Sequence, residues 1–178
     1  RSNPSPTPYF SAAGPDGVRR VGDTVEGLEG VVAQAFGAYR VHPTSPPIFV
    51  ATNPRPLAPN PVGGTLKVAS MNVLNYFTTL GSRGADTAAE LTRQRDKIVS
   101  AIVGLDADVL GLIEVQNDSG GALATLVDAI NARLGGTVYA AVNSPRAGTD
   151  EIRVAMIYKP ANVRPIGSPR VGNDPRFV

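Results

Sequence analysis

The sequence has no cysteine, which removes disulfides, thiolate metal sites and cysteine nucleophiles together. That absence leaves the compartment open, since a secreted protein can do without bridges. Histidine is almost missing as well: His42 is the only one. No apolar run approaches the roughly 20 residues that span a bilayer, and no stretch has the layout of a signal peptide. A strong charge of one sign is also lacking. The 17 basic and 15 acidic residues leave a formal net charge of +2 and a pI of about 9.2, too narrow an imbalance to attract nucleic acid by bulk electrostatics. Any phosphate-binding site must rest on particular residues.

Glycine and proline, 19 and 16 residues, are generous, and most of the proline lies before Gly64 or after Lys159. They mark the organisation. Arg1 to Pro8 is polar, proline-rich and expected to be extended and poorly ordered. From Tyr9, short β-type segments separated by Gly, Asp and Pro predict a small β unit over 1–52. Gly22-Asp23 and Gly30 read as turn or bulge positions, and Val31 to Val41 as one long strand interrupted at Gly37. Asn53 to Gly64, NPRPLAPNPVGG, holds four prolines and two glycines in twelve residues, a stiff linker over 53–64. The segment 65–178 then reads as α/β.

In that second part TLKVASMNVLNYF predicts a strand, opening with alternating Leu66 and Val68 and then Val73, that runs into an asparagine-bearing turn. Thr87 to Leu105 has helical spacing, with Leu91, Ile98, Ile102 and Leu105 on one face. Asp86 or Thr87 serves as its N-cap, and Glu90 is placed to close a capping box from Thr87. Five of the seven residues from Val109 to Val115 are aliphatic, the mark of a strand buried on both faces. Gly121 to Leu134 is a second amphipathic helix with Leu123, Leu126, Val127, Ile130 and Leu134 inward, stopped by Gly135-Gly136. Val138 to Val142 and Ile152 to Tyr158 complete the strands, and the remainder is coil-like. The order is strand, helix, strand, helix, strand, strand.

Candidate chemistry collects at two strand ends, where ligands gather in open α/β sheets. Asn72 and Asn75 stand on the first and Glu114 on the second, followed by Gln116, Asn117 and Asp118. A carboxylate and asparagine carbonyls are hard oxygen donors that suit Mg²⁺ or Ca²⁺ rather than zinc, and magnesium needs only one or two carboxylates. The plain alternative is a strand surfacing into a polar loop. Arg93 and Arg95 contact a phosphate, pair with loop acids or occupy an exposed helix face. Tyr76 fits a packed strand end better than an aromatic beside the site.

SMNVLNYF, RQRDKI, DADVLGLIEVQN and GTDEIRVAMIYKP, in that order and spacing, resemble the endonuclease/exonuclease/phosphatase superfamily with its deoxyribonuclease-I-like fold. Within it the chain is most similar to ExeM/NucH-type bacterial extracellular nucleases, in which a β domain with a stretch like Gly22 to Thr44 precedes the catalytic domain. The resemblance implies that 65–178 is the first half of a four-layer α/β sandwich (fold class α/β, or α+β). It implies a secreted hydrolase, endonuclease or exonuclease in type, cutting phosphodiesters of nucleic acid, DNA foremost. It implies Mg²⁺ as cofactor, with Mn²⁺ or Ca²⁺ as substitutes. By motif, Glu114 is the metal-binding carboxylate and Asn72 the asparagine beside it, both catalytic. Asp150 or Glu151 lies where the family keeps a carboxylate that orients its histidine, and Arg93 and Arg95 are candidates for substrate phosphate.

The family's later motifs, a histidine on a central strand, an Asp-x-Asn pair and a final Asp-His, are not in the sequence. His42 lies before the linker and matches neither catalytic histidine. The expectation is a piece of a longer protein, inactive alone, with an apolar sheet face awaiting the other half of the domain. Two alternatives stand beside the nuclease: a phosphatase or phospholipid phosphodiesterase of the same fold, since fold does not fix function, and a non-catalytic secreted module. In the latter the β unit, OB-like, would bind nucleic acid or a surface through Arg19, Arg20, Phe36, Tyr39 and Arg40.

Overall fold

Ten regular elements form in a computed structural model that describes residues 19–56, 58–146 and 148–172. The expectations for Arg1 to Pro8 lie outside the described residues. The chain divides into two compact units between Leu57 and Ala58. Among the described residues no helix is long and apolar enough to cross a membrane.

In the first unit β1 (Thr24–Glu26) pairs antiparallel with β4 (Ile48–Val50), and β2 (Gly30–Ala35) pairs antiparallel with β3 (Ala38–Pro43). These are two separate two-stranded ladders rather than a closed OB-like barrel among the described residues. The single long strand expected over Val31 to Val41 is instead a hairpin. Phe36 and Gly37 both take positive φ, 54° and 75°, which is the two-residue turn whose twist matches its flanking strands. Gly37 is therefore the turn itself and not an interruption. His42 sits exposed on β3.

The second unit is mixed α/β. β5 (Val68–Tyr76), α1 (Ala88–Leu105), β6 (Val109–Gln116), α2 (Gly121–Leu134), β7 (Ala140–Ala141) and β8 (Ile152–Tyr158) follow one another. The sheet order is β5-β6-β8-β7, with β5 and β6 parallel and β8 antiparallel to both its neighbours. Thr87, not Asp86, is the N-cap of α1. Its hydroxyl accepts from the Glu90 N–H while Glu90 accepts from the Thr87 N–H, the complete capping box. Gly135, at φ 74°, ends α2 in the left-handed conformation that glycine adopts without a Cβ penalty.

Both helices cover one face of the sheet. Ile98, Ile102, Leu110, Leu112, Val115, Leu126, Ile130 and Ile157 form the core there with Tyr76 and Tyr139. Among the described residues the other face carries no helix or second sheet: Val68, Val154, Met156 and Ile113 are 68%, 70%, 45% and 41% exposed. β6 is thus buried on one face and not on both as its aliphatic run suggests. Leu66 and Val68 point away from the core, which Val73 faces, and Leu134 at the end of α2 is 38% exposed rather than inward. The strand expected over Val138 to Val142 shrinks to two residues because Asn131 of α2 intercepts its backbone. Asn131 Oδ1 accepts the N–H groups of Val138 and Tyr139 at 3.0 and 2.8 Å, and its Nδ2 donates to the Tyr139 carbonyl at 2.9 Å.

Candidate active site

Glu114 stands where the regular ladder fails on both sides of β6. Between the pairs Asn72–Ile113 and Tyr76–Val115, the three residues Val73, Leu74 and Asn75 stand opposite the single Glu114. On the β8 side Ile113 and Glu114 together oppose only Val154. Such bulges re-aim a side chain and shift the alternation of faces. That shift is visible in burial, since Leu112 and Val115 are both buried although they are three positions apart, a step that puts residues of a regular strand on opposite faces. Leu74, Asn75 and Glu114 all hold left-handed backbone, at φ 56°, 50° and 66°. Non-glycine residues in that region cost on the order of 1 kcal/mol or more each and persist only where the surroundings enforce them.

The enforcing contacts are explicit. Asn72 Oδ1 accepts the Leu74 N–H at 2.7 Å, a turn made by the side chain itself. Gln94 of α1 donates through Nε2 to the carbonyls of Leu74 at 2.6 Å and Val73 at 3.2 Å. The Asn75 N–H donates to Glu114 Oε2 at 3.1 Å, so the bulge of one strand holds the carboxylate of the next. Gln116 Oε1 accepts the Thr78 N–H at 2.9 Å and fixes the chain leaving β5. Gly84 in the following loop lies so close that a Cβ there would stand 2.8 Å from both the Asn75 carbonyl oxygen and Phe77 Cβ. Only glycine permits that approach.

The expected residues are partly brought together. Asn72 is the register partner of Ile113, next to Glu114, and Asn75 touches Glu114 directly. Asp150 joins the neighbourhood through backbone: Asn117 donates from Nδ2 to the Asp150 carbonyl at 2.8 Å and from its N–H to the Glu151 carbonyl at 2.7 Å. The Asp150 carboxylate itself accepts the Ile152 N–H and pairs with Arg83 at 3.1 Å. Those N–H groups of Ile152 and Glu151, with the Arg83 charge, hold it below the usual carboxylate range. It is therefore an anion at neutral pH and unsuited to donating a proton.

Arg93 and Arg95, both candidates for substrate phosphate, line different clefts. Two residues apart on a helix they point to different faces. Arg93 lines a cleft of about 460 Å³ with Leu74, Asn75, Arg83 and Lys97, whereas Arg95 lines a groove between α1 and α2 with Thr125, Asp128 and Arg133. Tyr76 is fully buried and packed, and burial raises its hydroxyl pKa. Gln94 and Arg83 are the residues that sequence reasoning missed. Gln94 lay inside the RQRDKI motif, and Arg83 in a glycine-containing loop that carried no signal of its own.

Among the described residues no three His, Cys, Asp or Glu side chains gather to hold a metal ion. The donor set of one carboxylate and amide carbonyls nevertheless fits magnesium, which binds through one or two carboxylates and keeps its other positions for water and phosphate. Asn75 Oδ1 is buried without a hydrogen-bond partner, an oxygen that a cation would satisfy. Comparison with protein-family models, with curated proteins and with solved structures gave no match.

Proposed function

We propose that this chain carries the metal-binding part of a secreted phosphodiesterase acting on nucleic acid, DNA foremost, with Glu114 as the metal-binding carboxylate. The observation that supports this reading most is the pair of bulges that places one carboxylate, with an unsatisfied amide oxygen nearby, at the carboxyl ends of two parallel strands. Glu114 and the amide oxygen of Asn72 or Asn75 would hold Mg²⁺, Mn²⁺ or Ca²⁺. Bound there, the ion would supply neutralisation of charge on a scissile phosphate. The chain's own residues bind and orient. The Asn75 N–H fixes one oxygen of Glu114, Gln94 keeps the bulge in shape, and Arg83 is anchored beside it by Asp150.

No histidine of the second unit exists to take a proton from the attacking water, because His42 lies in the first. The resemblance gives that role to a histidine of a later motif that these 178 residues do not hold, and on that reading the chain alone is expected to be inactive. The bare apolar sheet face suits the second sheet of a sandwich, which would complete the domain. Export rests on the resemblance to extracellular nucleases.

The test is plasmid nicking by the complete gene product with Mg²⁺ and with EDTA, beside turnover of p-nitrophenyl phosphate and a phospholipid. EDTA-sensitive nicking that Glu114→Gln abolishes supports the reading. Nicking that is indifferent to both removes it, and preferred turnover of either other substrate moves the protein to the phosphatase or phospholipase alternative.

A further inference from the structure

The loop between β5 and α1 is tied down along its length. At its start Gln116 Oε1 accepts the Thr78 N–H at 2.9 Å, and Gln116 Nε2 donates to Thr79 Oγ1 at 2.8 Å. In its middle the Gly81 N–H donates to the Ala85 carbonyl at 3.1 Å, and Arg83 pairs with Asp150 at 3.1 Å. At its end Glu90 Oε2 accepts the Asp86 N–H at 3.0 Å, which joins the loop to the capping box of α1. A loop held in this way has little freedom to retreat from what it touches.

What it touches is the bulge beside Glu114. A Cβ on Gly84 would meet the Asn75 carbonyl oxygen and Phe77 Cβ, both at 2.8 Å, and the Phe77 nitrogen at 3.3 Å. None of these atoms is the free end of a side chain, and Phe77 is buried, so neither neighbour can swing aside. Gly84 does not hold left-handed backbone. Glycine is therefore required there by closeness alone and not by conformation. Gly81 is the reverse case, with φ at 67° and open space where its Cβ would stand. The Gly84 contact leads straight to the candidate site. Asn75, whose carbonyl it covers, donates its N–H to Glu114 Oε2 at 3.1 Å.

We propose that this loop is a strap that presses the Asn75 bulge onto Glu114 and so aims the carboxylate at a divalent cation, with Gly84 as the positioning residue. The inference rests on the reading of Glu114 as a metal-binding carboxylate. It gives Asp150 a part other than the one the resemblance implies. Through Arg83, Asp150 anchors the strap to the start of β8, where the resemblance has it orient a histidine.

The experiment compares Gly84→Ala with Gly81→Ala in the 178-residue chain. Both are expected to lower the thermal midpoint by a few degrees, the first through crowding and the second through backbone strain. Only Gly84→Ala is expected to speed hydrogen exchange of the Asn75 amide in the metal-free protein, by about tenfold or more as read by NMR. Only Gly84→Ala is expected to weaken Mn²⁺ binding, by about tenfold or more in titration calorimetry. A loop of purely structural importance would move the midpoint and neither of the other two readouts. Arg83→Ala adds no atom and unties the loop from Asp150, and is expected to speed the same amide by about 2–5-fold. An Asn75 amide that exchanges at the wild-type rate in folded Gly84→Ala, or just as fast in Gly81→Ala, overturns the strap. If circular dichroism shows Gly84→Ala unfolded, an Asn75 amide unmoved by Arg83→Ala overturns it. In either case the metal reading of Glu114 stands if Glu114→Gln loses Mn²⁺ affinity. Equal Mn²⁺ affinity in wild type and Glu114→Gln removes that reading, and the role of the strap falls with it.

Discussion

The backbone N–H of Asn75 meets Glu114 Oε2 at 3.1 Å, and both residues hold left-handed backbone where their strands bulge. Two adjacent irregularities therefore lock into each other, and the carboxylate is fixed by the neighbouring strand, as the proposed metal site would require. A site prepared in this way loses little ordering entropy on binding.

Glu114→Gln keeps an acceptor oxygen for the Asn75 N–H and changes only charge, so the fold should survive with a stability change under about 1 kcal/mol. Affinity for Mn²⁺, read by titration calorimetry on the chain, should fall by about 100-fold or more, since the removed group exceeds an outer-shell partner in weight. Equal Mn²⁺ affinity in the two proteins would remove the metal assignment.

Gln94→Ala leaves the Leu74 and Val73 carbonyls without their side-chain partner. The expected loss is about 1–3 kcal/mol by urea denaturation, the cost of under-satisfied backbone groups. A purely structural glutamine would stop there. One that positions Glu114 should also lower Mn²⁺ affinity by about 10-fold or more in the folded variant, and that second readout decides between the two roles.

The parts of the fold written in local chemistry were legible. The capping box of Thr87 with Glu90 and the stop at Gly135 are decided by residues within one turn of each other, and both helices carry a continuous apolar face. What escaped depended on distant partners. Val68 and Val154 look like core residues because β-branched apolar side chains are the same in sequence whether or not a second layer covers them. Tyr139 was read as a strand residue, yet Asn131 takes its backbone groups. At the site, Glu114 was singled out by the motif it closes, whereas the double bulge was hidden because period-two alternation carries no mark of an inserted residue. Arg93 and Arg95 were grouped by sequence proximity, which a helix converts into opposite faces.

At the other end of the sheet, acid should expose a second network. Asp106 is held below the ordinary carboxylate range first by Lys159, with its Nζ hydrogen bond, and then by Lys67; Asp108 is held down by the Lys67 N–H and then by Asn162. Because both folded values lie below the unfolded ones, their contribution is fully present above pH about 4 and is lost as pH falls through the folded values. Urea midpoints should stay level from neutral pH to about 5 and drop below about 4. Asp106→Asn should flatten that acid slope, though modestly, because Asp106 is 61% exposed and solvent screens the pair. Parallel slopes in variant and wild type would place the acid sensitivity elsewhere.

If the chain is part of a longer protein, as proposed, the open face of the sheet separates the two contexts most sharply. Val154 is 70% exposed on that face, opposite the bulge at Ile113 and Glu114, while Leu112 on the same sheet is fully buried under the helices. In the 178-residue chain Leu112→Ala should cost about 2–5 kcal/mol and Val154→Asp less than about 0.5, because the valine has no covering layer to lose. If a second sheet packs on this face in the complete protein, the same Val154→Asp change buries a carboxylate without a partner. Its cost should then rise to several kcal/mol. Thermal unfolding of the pair of variants in both contexts measures the difference. A Val154→Asp cost that stays small in the complete protein would mean that the face is open there too, and the expectation of a four-layer sandwich would fail on this chain's own residues.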